Sequence, residues 1–171
     1  RIWQPEKREW LTTALGGAEN FSAPAHFGSL TKNGPPSILF RSPSGAYWQH
    51  FDGRSWKMDR TLFPFRVNEK TGPLPNRRGL RLRDLDNDGI SELLIADGVT
   101  NAVYRLSKNA RRWNKLSFTL PEGTALTTRD GTELGLRLVD LDDDGHLDVV
   151  FSNHQRYGAW LFKDLETGWS I

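Results

Sequence analysis

Hydrophobic and polar positions alternate over short stretches of this chain, and these stretches end at turn-forming residues. The short apolar runs at Ser37–Arg41, Leu93–Ala96 and Val149–Ser152 are typical of buried strands. Helical periodicity is weak, because the best candidate (residues 4–15) is interrupted early by Pro5 and then meets two glycines. The pattern therefore predicts an all-β fold built from four-stranded antiparallel units.

One segment of the sequence occurs twice. Residues 79–89 and 135–145 differ at only two positions and are separated by a shift of 56 residues. A fixed period of this length indicates a repeat architecture, and the chain has room for about three units. A shift of 55 aligns a third, degenerate copy. In that copy the acidic positions become Ser29, Thr31, Asn33 and Ser37, so we expect the fold of the unit to persist there without its metal.

Aromatic residues recur in four segments that we predict to be hairpins. Each segment contains an aromatic residue, then a polar turn, then a closing Trp, and alternating side chains around turn residues are hairpin signals. The four segments are Trp3–Trp10, Trp48–Trp56, Tyr104–Trp113 and Trp160–Trp169.

Both copies of the repeat contain an acidic loop. Counting from Asp84 and Asp140 as position 1, acidic side chains occupy positions 1, 3, 5 and 9, and glycine occupies position 6. This spacing lets a tightly wound loop direct its carboxylates at one hard cation, with the carbonyl of position 7 as a further oxygen, and it favours Ca²⁺ over Mg²⁺ or Zn²⁺. We expect one Ca²⁺ per loop, with Asn87 and Asp143 facing solvent. The predicted metal ligands are Asp84, Asp86, Asp88, Ile90 (carbonyl), Glu92, Asp140, Asp142, Asp144, His146 (carbonyl) and Asp148.

Acidic loops also occur in EF-hands, in turns that bind nothing and in catalytic sites. An EF-hand places a bidentate Glu at position 12 on a helix, whereas position 12 here is Ile95 or Phe151 inside a strand-like run. Acidic turns that bind nothing remain an alternative. Acid/base catalysis is disfavoured because an active site is usually unique and these loops are nearly identical. We therefore predict no catalytic residue and no organic cofactor in this chain.

Composition further restricts the kind of protein and the kind of binding site that this chain can have. The 171 residues are 37% hydrophobic, enough for the core of one domain, and no apolar run is long enough for a transmembrane helix, so we predict no direct membrane insertion. The absence of Cys excludes disulfides and thiolate metal sites. The net charge of +2 is scattered, and we assign arginines such as Arg81 and Arg83 to solvated faces and counter-charge rather than nucleic-acid binding. Because the sequence begins at Arg1, we expect a processed chain or a fragment.

The pattern Asp-x-Asp-x-Asp-Gly-x-x-Asp/Glu before a short apolar strand resembles the FG-GAP or VCBS repeat of integrin-α-type β-propellers. The resemblance covers two full motifs, the degenerate copy and the hairpins between them. It implies one propeller blade per repeat, with calcium tying the loop between two strands through the predicted ligands. The implied units are 1–26 (a partial blade), 27–78 (a metal-free blade), 79–134 (a calcium blade) and 135–171 (a calcium blade, complete or incomplete).

These expectations favour a non-catalytic, calcium-binding β-propeller segment that acts as a structural or binding module. Its partner would be a protein or a carbohydrate in an extracellular or periplasmic setting. Closed propellers have about four to eight blades. The missing blades would come from the parent chain, another chain or symmetry copies.

The alternative is the propeller part of a larger secreted enzyme, either a polysaccharide lyase or a dehydrogenase with haem-binding modules elsewhere. Val149–Asn153 and Gly168–Ser170 are similar to the repeat regions of large planctomycete-type dehydrogenase-like proteins.

Overall fold

The computed structural model describes residues 2–4, 7, 9–11, 26–42, 45–59, 79–107 and 112–170. These residues form strands, turns and loops, and no α-helix occurs among them. None of the described segments is therefore a helix able to cross a membrane. The strands are β1 (Ile2–Gln4), β2 (Glu9–Leu11), β3 (His26–Ser29), β4 (Pro36–Ser42), β5 (Gly45–Phe51), β6 (Trp56–Asp59), β7 (Leu80–Arg83), β8 (Glu92–Ala96), β9 (Asn101–Leu106), β10 (Trp113–Lys115), β11 (Leu136–Val139), β12 (Asp148–Ser152), β13 (Tyr157–Asp164) and β14 (Gly168–Ser170).

Consecutive strands pair with one another in three four-stranded antiparallel sheets. The sheets contain β3 to β6, β7 to β10 and β11 to β14, each in chain order, while β1 and β2 form a separate two-stranded hairpin. The prediction of an all-β chain of about three four-stranded antiparallel units is therefore confirmed. The arrangement is consistent with propeller blades.

The four predicted hairpins are present. The leading aromatic residue lies directly opposite the closing Trp in the first hairpin and not in the other three. Trp3 lies directly opposite Trp10 in β1 and β2. In the other three hairpins the closing Trp lies opposite a residue that comes two or three positions after the leading aromatic residue. The pairs are Phe51 with Trp56, Leu106 with Trp113, and Phe162 with Trp169. Pro5 and Glu6, between the aromatic residues of the first hairpin, and Lys108 and Asn109, between those of the third, lie outside the described part of the chain.

The hydrophobic core lies between adjacent sheets, and β8 contributes to both sides of it. All five residues of β8 are buried. Leu93 and Ile95 pack with the first sheet, in a cluster where Trp48 and Trp113 stack at 5.6 Å between ring centroids. Leu94 and Ala96, on the other face of β8, pack with the third sheet. Because successive side chains of a strand point to opposite faces, an apolar strand in a middle sheet is covered on both sides.

Register places the acidic loops at equivalent positions in successive sheets. Arg83 pairs with Glu92, and Val139 pairs with Asp148. In the first sheet Gly28 pairs with Ser37, as the shift of 55 predicts. The ninth-position acids were expected just before their strands, but they are the first residues of β8 and β12. The backbone of each acid is therefore part of the pairing between the two strands that the loop connects.

Candidate metal centres

The acidic loops connect β7 to β8 and β11 to β12, and both are wound around their first Asp. Asp84 Oδ1 and Oδ2 accept hydrogen bonds from the backbone N–H groups of Asp88 (3.1 Å) and Gly89 (2.8 Å). Asp140 accepts the equivalent bonds from Asp144 (3.2 Å) and Gly145 (2.9 Å). The near-identical sequences therefore fold into near-identical loops.

Two residues in each loop have left-handed backbone conformations. The glycines at position 6, Gly89 and Gly145, have φ of 88° and 87°, as the loop reversal requires. At position 4, Asn87 and Asp143 have φ of 55° and 60°, and both side chains are exposed as predicted. The spacing of the acids did not predict this left-handed conformation. The available signal was residue type, because Asn and Asp tolerate this region better than other non-glycine residues.

Each loop gathers three carboxylates that can hold a metal ion. One oxygen each from Asp84, Asp86 and Asp88 lies within 4.8 Å of the other two. In the second loop the same holds for Asp140, Asp142 and Asp148. Each of the two loops thus brings three acidic oxygens close together. The full ligand assignment stays a prediction.

The two remaining predicted acids, Asp144 and Glu92, are not members of these groups. Asp144 is outside the second group; its Oδ1 accepts a hydrogen bond from the His146 backbone N–H (2.8 Å), and its Oδ2 lies 3.2 Å from His146 Nδ1. Glu92 is outside the first group. No hydrogen bond to the carbonyl oxygens of Ile90 or His146 is found among the described residues.

The ninth-position acids are fully buried and linked to the start of their own loops. Glu92 Oε2 accepts the Leu85 N–H at 3.0 Å, and Asp148 Oδ2 accepts the Leu141 N–H at 2.9 Å. Asp148 Oδ1 also accepts the Phe162 N–H at 2.7 Å. Glu92 Oε1 has no hydrogen-bond partner although it is buried. Because a buried carboxylate oxygen without a partner is costly, this atom fits a nearby cation.

Arg105 supplies a positive charge inside the first loop. Its Nη1 lies 3.0 Å from Asp86 Oδ2 and 3.7 Å from Glu92 Oε1, and its Nη2 pairs with Asp88 Oδ2. Arg81, one of the arginines assigned to counter-charge, pairs with the carboxylate of Glu133 at 2.9 Å. Arg105 was not predicted from the sequence, where it aligns with Leu161 at the same shift of 56 residues.

The electrostatics of the first loop show how crowded its charges are. Burial, followed by the negative charges of Asp86 and Asp88, raises the pKa of Glu92 to about 8, against the lowering effects of the Leu85 N–H and Arg105. Burial also raises the pKa of Asp84, and the neighbouring carboxylates add to this. Both shifts arise mainly from burial, and the neighbouring carboxylates raise the two pKa values further.

The degenerate copy keeps the four-stranded sheet with different loop chemistry. Ser29 Oγ donates to the carbonyls of Thr31 (3.2 Å) and Gly34 (3.4 Å), and the Gly34 N–H donates to the Thr31 carbonyl at 2.8 Å. Its left-handed residue is Asn33, at position 5 rather than 4. A local turn therefore replaces the carboxylate-centred winding.

Comparison with known proteins gives one match. Residues 84–151 match the family model described as FG-GAP-like repeat, a stretch that includes both acidic loops and the strands between them. No curated protein and no solved structure matches the chain. The likeness to planctomycete-type dehydrogenase-like proteins stays a prediction.

Proposed function

Since residues 84–151 contain an FG-GAP-like repeat, we propose that this chain is a calcium-stabilised β-propeller segment that serves as a structural and binding module. Each acidic loop binds one Ca²⁺, and the ion holds the loop and the two strands that it connects. The donors would be the ten predicted ligands given above.

One observation carries the proposal: in each of two repeats, three carboxylates converge within 4.8 Å at the same place in the sheet. The buried Glu92 Oε1, which lacks a hydrogen-bond partner, is a second indication of a cation in the first loop. Ca²⁺ accepts six to eight oxygen ligands in flexible loops, whereas Mg²⁺ needs a stricter octahedron. An all-oxygen donor set of carboxylates and carbonyls suits Ca²⁺ best.

The loops lie where a bound ion would stabilise contacts between sheets. The Leu147 N–H of the second loop donates to the Leu85 carbonyl of the first at 2.9 Å, and the Ser91 N–H donates to the Ser29 carbonyl at 2.7 Å. An ion that orders one loop therefore also supports the neighbouring sheet. Binding only to the folded state stabilises it by about 2.7 kcal/mol for each site at a calcium concentration 100 times Kd.

The opposite ends of the strands offer a surface for a partner. Val99, in the β8–β9 turn, is 70% exposed, and Tyr157, the first residue after the β12–β13 turn, is 89% exposed. Both turns lie at the strand ends away from the acidic loops. Exposed aromatic and aliphatic groups suit contact with a protein or a carbohydrate. We propose an extracellular or periplasmic setting, where calcium is abundant enough for loops of modest affinity. The remaining blades would come from the parent chain, another chain or symmetry copies.

Thermal unfolding tests the calcium proposal. The melting temperature should fall when EDTA removes the metal and should recover when Ca²⁺ is added in excess. Mg²⁺ at the same concentration should restore much less. Equal melting temperatures in EDTA and in Ca²⁺ would contradict the proposal.

A further inference from the structure

We propose that Arg105 is a built-in counter-cation of the first acidic loop, so that this loop binds Ca²⁺ more weakly than the second and releases Arg105 when the ion enters. The inference rests on the proposed calcium function and makes the two sites unequal. It concerns one residue of β9 that lies outside the acidic motif.

The contacts of Arg105 place its guanidinium among the predicted ligands. It reaches Asp86 Oδ2 and Asp88 Oδ2 with different nitrogens, while Nη1 lies 3.7 Å from Glu92 Oε1. The side chain of Arg105 is 26% exposed, and that of Glu92 is 0% exposed. Charge-assisted hydrogen bonds in a partly buried site are stronger than those between neutral groups. Arg105 therefore does in the first loop part of what a metal ion would do.

The compensation by Arg105 is incomplete. One guanidinium faces three carboxylates, and both Asp86 Oδ1 and Glu92 Oε1 remain buried without hydrogen-bond partners. Those oxygens are still available to a divalent ion with more coordination positions. The first loop is therefore able to bind Ca²⁺, but only after Arg105 gives up its bonds to two of the predicted ligands.

The second loop provides an internal comparison. The residue equivalent to Arg105 is Leu161, which pairs with Ser170 in the β13–β14 ladder. Within the described part of the chain, no Lys or Arg forms an ion pair with Asp140, Asp142 or Asp148. The fourth acid of this loop, Asp144, lies beside His146, an imidazole that is a full cation only when it is protonated. An entering Ca²⁺ therefore meets no permanently charged guanidinium there. The second loop should accordingly bind calcium more tightly.

Calorimetric titration of metal-free protein with CaCl₂ tests the inference. Wild-type protein should show two classes of site, and Asp142→Asn should remove the tighter one. In the Asp142→Asn background, Arg105→Leu should tighten the remaining site about tenfold, because a like charge no longer opposes the ion. Lys115→Leu makes the same charge change on an exposed residue of the same sheet, so it should change the affinity less than about twofold.

Melting in EDTA separates this role from a purely structural one. Arg105→Leu should lower the melting temperature of the metal-free protein while it tightens calcium binding. A structural defect would weaken both properties. Arg105→Lys keeps the charge without the fork geometry and should give an intermediate affinity. Equal affinities of the two loops in wild type, unchanged by Arg105→Leu, would overturn the inference but leave the calcium function standing. No calcium binding in wild type or in any variant would overturn the proposed function itself.

Discussion

The backbone N–H of Leu147 donates a hydrogen bond to the carbonyl of Leu85 at 2.9 Å, and this bond joins the second acidic loop to the first. The bond crosses from the third sheet to the second. The two acidic loops are therefore linked directly, and we expect order in one loop to extend to the other.

Calcium should slow hydrogen exchange at the Leu147 amide. An ion that fixes the second loop also fixes the donor of this inter-sheet bond, so local opening becomes rarer. Amide exchange followed by NMR in Ca²⁺ and in EDTA measures the effect. The Leu116 amide, bonded to the Val103 carbonyl at 2.9 Å, is the control and should change much less. An identical slowing at both amides would indicate global stabilisation alone.

The left-handed backbone at position 4 should restrict the residue type there. Asp143 has φ of 60° and an exposed side chain. Asp143→Val should destabilise the protein by about 1–2 kcal/mol, because a β-branched residue is strained in this region. Asp143→Asn removes the same charge but tolerates the conformation, so it should cost much less. Urea unfolding of both variants in EDTA measures the difference, and equal losses would contradict the explanation.

Asp52 in the β5–β6 turn should make the stability of the fold depend on pH in the acid range. Hydrogen bonds from the backbone N–H groups of Ser55 and Arg54 lower the pKa of Asp52 from 3.8 to about 2. A carboxyl whose folded-state pKa is lowered stabilises the fold above its unfolded pKa and loses this contribution as pH falls through the folded value. Thermal melting of wild type and Asp52→Asn should therefore differ above pH 4 and converge towards pH 2. Parallel curves over this range would contradict the assignment.

The core between the second and third sheets should depend on Phe151, which is 1% exposed. Phe151→Ala should cost about 3–5 kcal/mol in unfolding free energy because it leaves a cavity among closely packed side chains. Tyr157→Ala removes an aromatic ring that is 89% exposed and should change stability by less than about 0.5 kcal/mol. Urea unfolding compares the two variants, and similar losses would show that Phe151 does not anchor this core.

The sequence predicted those features that depend on local pattern. Short apolar runs and turn residues indicated the strands, and the repeat at a shift of 56 indicated equivalent sheets, because such units bury their faces against one another. The spacing of acids around Gly89 and Gly145 likewise predicted the winding of the loops. The strand and loop signals lie within a few residues of the structures that they specify, and the repeat is visible by comparing two stretches of the sequence directly.

Arg105 could not be found in the same way. It is 13 residues beyond Glu92, on a strand that pairs with β8, and only the fold brings the two side chains together. Alignment of the two repeats does show Arg105 opposite Leu161, but a charged residue on a strand usually faces solvent. The sequence pattern also did not predict which residue lies opposite each closing Trp, because the length of the turn sets the register of a hairpin.

Calcium content at saturation tests the central claim most directly. Protein dialysed against excess CaCl₂, then freed of unbound metal and measured by inductively coupled plasma mass spectrometry, should contain one Ca²⁺ for each acidic loop. Asp86→Ala and Asp142→Ala should each remove one ion, and the double variant should contain none. A double variant that is folded and retains the calcium content of wild type would contradict the account.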